Sequence, residues 1–147
     1  MEIDRSAPVV AAAEEEIATD AQTVWDLIAA VDRWPSWNEE VKSASVEGRI
    51  AEGAVFRWKT RTGTITSRLR ELDRPRRVAW TGRTFGIATA HVWTLEPRGE
   101  RTLVTSTASF DGLLARALRL PLRKMLQRAL DGGLRMLASE AERRVPA

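Results

Sequence analysis

The 147-residue chain has no cysteine, no tyrosine and a single histidine. Without cysteine there is no disulfide framework, no thiolate nucleophile and no sulfur-based metal site. One imidazole leaves only carboxylates as metal ligands, so a histidine-based metal centre is excluded. No metal and no other cofactor is expected. A Pro/Gly/Ser-rich linker and internal repeats are also lacking. The opening Met1-Glu2-Ile3-Asp4-Arg5 leads into Ala, Val and three Glu, which form neither a secretory signal nor a membrane span. The expectation is a cytoplasmic soluble protein without stable membrane insertion. A chain of this size buries roughly 68–70% of its unfolded surface. That suits a single domain over residues 1–147, with 1–9 as a loose tail.

Motifs for covalent chemistry are scarce as well. No Gly-rich phosphate loop is present. Ser67 and Ser106 could approach His91, but neither sits in a nucleophile elbow or beside an oxyanion motif. Asp26 falls on a helix and Glu71 has ambiguous strand parity, so neither stands out as an acid. His91 has two readings: a general acid or base, or an imidazole that hydrogen-bonds Thr89, Ser106 or a bound molecule.

Charge is nearly balanced overall, at +3, but not along the chain. Residues 1–56 carry 12 acids against 4 bases, a balance of −8. Residues 57–147 carry 8 acids against 19 bases, a balance of +11. A basic half can serve nucleic acid, a membrane surface or an anionic ligand. No nucleic-acid motif accompanies it. The expectation is therefore a solvated face that pairs with acids of the other half, with no nucleic-acid partner.

What the sequence does contain is pattern. Ala11–Ala18 reads as a first strand, and Thr19 with Gln22 fits a capping box. Val24, Leu27, Ile28 and Val31 then share one face of a helix that ends before Trp34, because a residue preceding proline is pushed out of helical geometry. From Val41 the apolar period changes to two. Strands are expected over Val41–Glu47, Ala54–Thr60, Thr64–Leu72, Arg77–Thr81, Ile87–Glu96 and Arg101–Phe110. Short turns between them argue for an antiparallel meander.

Alternation assigns the inner face to Phe56 and Trp58, Ser67 and Leu69, Val78 and Trp80, Thr89, His91 and Trp93, and Val104, Ser106 and Phe110. Arg57, Lys59, Arg61, Arg68 and Arg70 fall on the outer, wet face. The last third reads as helix: a short run through Leu118, then a long helix with Pro121 at its first position. Leu122, Met125, Leu126, Ala129, Gly133, Met136 and Leu137 form its inward stripe. Gly132-Gly133 marks either a break after Asp131 or a close approach to the sheet or a ligand.

Ile17-Ala18-Thr19, Val24-Trp25-Asp26-Leu27 and Asp32-Arg33-Trp34-Pro35-Ser36-Trp37-Asn38 occur in that order. Glu52-Gly53, Asp73-Arg74-Pro75, Val78-Ala79-Trp80-Thr81-Gly82, His91-Val92-Trp93-Thr94-Leu95, Phe110-Asp111-Gly112 and Glu140 to Arg144 follow. In order and spacing the set resembles the polyketide cyclase/dehydrase-like branch of the START-like (SRPBCC) superfamily. The resemblance spans nearly the whole chain. It implies an α+β helix-grip fold, in which a curved antiparallel sheet of about seven strands wraps a long C-terminal helix. Short helices lie between the first two strands, and a ligand cavity separates sheet and helix. It implies no single activity, since function resides in the site.

Six Trp without Tyr is an unusual aromatic choice. Trp58, Trp80 and Trp93 could be ordinary core or could line a pocket for a flat or greasy ligand, and Trp34 and Trp37 could be its entrance or a plug. Pockets are mostly apolar with a few placed polar groups, here His91, Thr89, Ser67 and Ser106. The remaining expected lining is Phe56, Leu69, Val78, Phe110, Leu118, Leu122, Met125, Ala129 and Gly133. The leading expectation is a carrier or sensor of a small apolar, aromatic or lipid-like ligand, without catalysis. The alternative is a polyketide cyclase or dehydratase using His91 as acid and base. The sequence leaves a homodimer open.

Overall fold

A computed structural model describes residues 1–144, so the last three positions of the expected 1–147 domain lie outside the described residues. Seven strands, β1 (Val9–Ile17), β2 (Val41–Val46), β3 (Val55–Thr60), β4 (Gly63–Asp73), β5 (Arg77–Thr84), β6 (Ile87–Arg98) and β7 (Arg101–Asp111), follow the alternating segments closely. They form one antiparallel sheet in the order β1-β7-β6-β5-β4-β3-β2. Between β1 and β2 lie α1 (Ala21–Ala29) and a 3-10 helix, Val31–Ser36. Beyond β7 come α2 (Leu113–Ala117) and the long α3 (Arg119–Arg143). This is the helix-grip architecture.

Several boundaries differ from the sequence reading, each for a local reason. Thr19 does not cap α1; the N-cap is Asp20. The Thr19 carbonyl accepts a hydrogen bond from the Thr102 hydroxyl at 2.8 Å, which holds that residue to β7. The Gln22 amide donates to Asp26 at 2.8 Å instead of reaching back to close a capping box. Ala30 leaves helical geometry at φ −78°, ψ 69°, so Val31 begins a 3-10 helix that tolerates Pro35 inside it. Pro121 lies within the first turn of α3 and not at its first position. There its missing N–H still needs no intrahelical partner.

β5 runs past Thr81 to a two-residue turn at Phe85-Gly86. Both residues have positive φ, 49° and 75°. Such turns are ordinarily signalled by Asn or Asp before Gly, so a phenylalanine there gave no cue.

The expected loose tail is packed instead. Ile3 is buried against Ala79 and Val92 on the outer face of the sheet, and Val9 is wholly buried in β1. The Arg77 guanidinium donates to the Met1 carbonyl. The tail reading failed because the small apolar residues of the outer face need a cover, and Ile3 supplies it.

The main core joins α1, the inner face of the sheet and the second half of α3 through Leu134, Leu137, Ala138 and Ala141. A second cluster ties Leu126 and Leu130 to Val9, Ala11, Ile87, Ala108 and Ala115. Thus α3 packs chiefly along β1, at one edge of the sheet. The helix leans on that edge and leaves the inner face of the middle strands partly uncovered.

Candidate functional site

The uncovered space is an open cavity of about 890 Å³ between sheet and α3. Its floor follows from strand register. Leu69, Trp80, His91 and Ala108 lie in one cross-strand row, and Trp93 pairs with Ser106. Trp58, Trp80, Thr89, His91, Trp93 and Phe110 reach the cavity from the sheet, while Met125, Ala129 and Gly133 reach it from α3. Trp34 and Trp37 close one side.

The other expected lining residues lie elsewhere. Phe56, Leu69 and Val78 are fully buried in the core behind the floor. Ser67 and Ser106 have the expected parity but sit beneath indole and imidazole rings, accepting Trp58 Nε1–H at 3.1 Å and bonding His91 at 2.6 Å. Leu118, at the α2–α3 junction, is 45% exposed, and Leu122 packs against the second cluster. Parity and periodicity name a face, and these residues show that a face is divided between core and cavity.

Trp34 acts as both plug and wall. Its indole packs at 5.2 Å from Trp58, 5.5 Å from Phe56 and 5.1 Å from Trp80. Its N–H donates to the Ile28 carbonyl at 3.0 Å. The indole N–H groups of Trp37 and Trp93 are buried and have no acceptor among the described residues.

His91 lies between Trp80, at 4.7 Å, and Trp93, stacked at 5.2 Å. One edge of the ring touches the cavity, but protein atoms crowd the rest. Burial therefore pushes its pKa down from the usual 6.5 to about 3. The imidazole is neutral at physiological pH, with Nε2 engaged by Ser106 Oγ.

The helix phase was half legible. Met125, Ala129, Gly133 and Met136 face the cavity, whereas Leu126, Leu130, Leu134 and Leu137 are buried beside them. The break expected at Gly132-Gly133 does not occur: α3 is continuous through both, and both line the cavity. A Cβ at either position would meet no protein atom within 4 Å, so neither glycine marks a close approach to the sheet.

The mouth of the cavity carries a charged rim, built in part from helix cations that lie beside the inward stripe. Arg61, Lys124, Arg128 and Arg135 line the mouth with Glu39 and Glu40. Arg61, expected on the outer face, lies in the turn between β3 and β4, where strand parity no longer applies. Lys124, Arg128 and Arg135 flank the helix face that borders the opening. Among the described residues no cluster of three or more His, Asp or Glu could hold a metal.

The family model for polyketide cyclase/dehydrase and lipid transport matches residues 8–142. No curated protein matches the chain significantly. Among solved structures, an aromatase/cyclase from a Streptomyces species superposes with a TM-score of 0.81 at 21% identity, covering 94% of this chain and 96% of that one. A START superfamily protein from Mycobacterium smegmatis gives 0.79 at 15% identity, over 92% and 99% of the two chains. A hypothetical protein from Helicobacter pylori gives 0.84 at 16%, over 95% and 91%. At these identities the likeness is one of fold.

Proposed function

The chain belongs to the polyketide cyclase/dehydrase and lipid transport family, and from that premise we propose that it binds a small apolar, aromatic or lipid-like molecule in the cavity and releases it unchanged. The observation that carries this reading is the cavity of about 890 Å³ floored by Trp58, Trp80, Trp93 and Phe110. Its volume and apolar walls suit a drug-sized or lipid-sized molecule.

Catalysis has weaker support. A general base works best with a pKa near the working pH. An imidazole whose pKa is about 3 is a weak base, and at neutral pH it lacks the acidic imidazolium proton a general acid would give. His91 serves better as a wall group that keeps its Ser106 hydrogen bond.

The test is uptake of neutral N-phenylnaphthylamine, followed by fluorescence, with native mass spectrometry of any retained molecule. Wild type should take up the probe saturably. Gly133→Leu, whose side chain would enter the cavity, should abolish uptake while keeping a cooperative melt. His91→Gln should bind normally. Absence of uptake and of any retained molecule in the wild type would sink the carrier reading. Conversion of a polyketone by wild type but not by His91→Gln would establish the cyclase instead.

A further inference from the structure

We propose that α2 and the first half of α3 form a docking surface for an anionic lipid bilayer. Large exposed apolar side chains are few among the described residues: Ile50, Phe85, Leu113, Leu114, Leu118, Leu120 and Met125. Five of these seven fall between Leu113 and Met125. Leu113 is 86% exposed and Leu120 71%.

Phe85, 70% exposed, belongs to the same end of the molecule. A Cβ on Gly112, just before α2, would lie 3.0 Å from the carbonyl oxygen of Gly86. The β5–β6 turn and the start of α2 are therefore neighbours. This is a local concentration of greasy surface, not the scattered exposure common on soluble domains.

Charge selects the partner. Arg116, Arg119, Arg123, Lys124 and Arg128 are interleaved with those leucines, and residues 112–130 contain no carboxylate. Elsewhere part of the basic half pairs, Arg74 with Asp26, Arg77 with Glu2 and Arg101 with Glu16. Lys59, Arg68, Arg70 and Arg83 form no ion pair among the described residues, but they carry no comparable cluster of exposed leucines. Among the described residues none of the five α2–α3 cations is within ion-pair distance of an acid. Apolar side chains set among unpaired cations match the acyl boundary and phosphates of an anionic leaflet.

A second copy of this chain fits poorly, because a symmetric contact would set five cations against five. RNA would use the cations but leave the leucines without a role, as they offer no stacking platform. Penetration is shallow, since no described helix is long and apolar enough to cross a membrane.

The surface adjoins the cavity mouth: Pro121, Lys124 and Met125 belong to both. A molecule leaving the cavity at this end would emerge beside the bilayer. The docking itself does not depend on what the cavity holds.

Vesicle flotation tests the assignment, using equimolar phosphatidylglycerol and phosphatidylcholine against phosphatidylcholine alone. Wild type should float with the anionic vesicles, less as salt rises, and hardly at all with the neutral ones. Arg119→Gln/Arg123→Gln should weaken binding about thirtyfold. Leu113→Ser/Leu120→Ser, at exposed positions that leave the core intact, should release the protein at physiological salt. Arg57→Gln/Lys59→Gln on the outer sheet face should change little. Equal flotation with neutral vesicles, no flotation of the wild type, or loss caused equally by the sheet variant would overturn the proposal. So would dimerisation of wild type abolished by the leucine variant. None of these measurements involves the probe used for the cavity, so the two proposals fail separately.

Discussion

His91 shows how one residue's surroundings fix its chemistry. With a folded pKa of about 3 against an ordinary 6.5, the native state resists protonation through a window in which the unfolded chain accepts it. Between those values the unfolded state binds more protons, so stability rises with pH and falls on acidification. Above pH 6.5 the group contributes no slope. His91→Gln removes the titration, so wild type should lose more stability than the variant between pH 6.5 and 4 in urea melts. Parallel losses would show that the ring is accessible to protons. Gly82 makes a second point. A Cβ there would sit 2.6 Å from Ser67 Oγ and 2.9 Å from both the Thr66 carbonyl and Thr89 Oγ1. The carbonyl belongs to the sheet and cannot step aside as a side-chain tip could. Gly82→Ala should therefore destabilise by about 1–3 kcal/mol through overpacking, and an unchanged denaturation midpoint would contradict that geometry.

At the scale of the element, α3 explains most of what the sequence concealed. Its apolar residues form two adjacent stripes, one buried and one facing the cavity. Periodicity merges them, because a hydrophobic period records dryness or greasiness but not which surface is opposite. The strands were more legible, since a two-residue period against one buried face leaves little freedom of register. Thus Trp58, Trp80, His91 and Trp93 were placed on the floor by parity alone, while Ser106 and Leu69 could not be told from them. The rim positions of Lys124, Arg128 and Arg135 depend on how the helix leans, and that of Arg61 on the β3–β4 turn, neither of which a hydrophobic period encodes. The same helix carries Gly132 in a continuous run with open space around it. Gly132→Ala should raise stability by about 1 kcal/mol, the ordinary helix propensity difference. A loss in thermal or chemical melts would mean that the helix needs freedom at this point.

Across the whole molecule, packing and opening are two consequences of one arrangement. α3 packs along β1 in both halves, Leu126 and Leu130 on Val9 and Ala11 and the second half on the main core with α1, while its other flank borders the open side of the sheet. A bound apolar molecule would complete the contacts that the helix leaves unmade over the middle strands. Ligand that binds only the native state stabilises it by mass action, by about 2.7 kcal/mol at one hundred times Kd. For a chain of this size each kcal/mol raises Tm by about 2–4 °C, so a shift of about 5–11 °C is expected for wild type. Gly133→Leu should melt independently of the probe, because its side chain already occupies the space near the middle of α3. The pairing of the two melts matters more than either alone. A probe that raised Tm equally in both proteins would be binding outside the cavity, with the exposed leucines of α2 the first place to look.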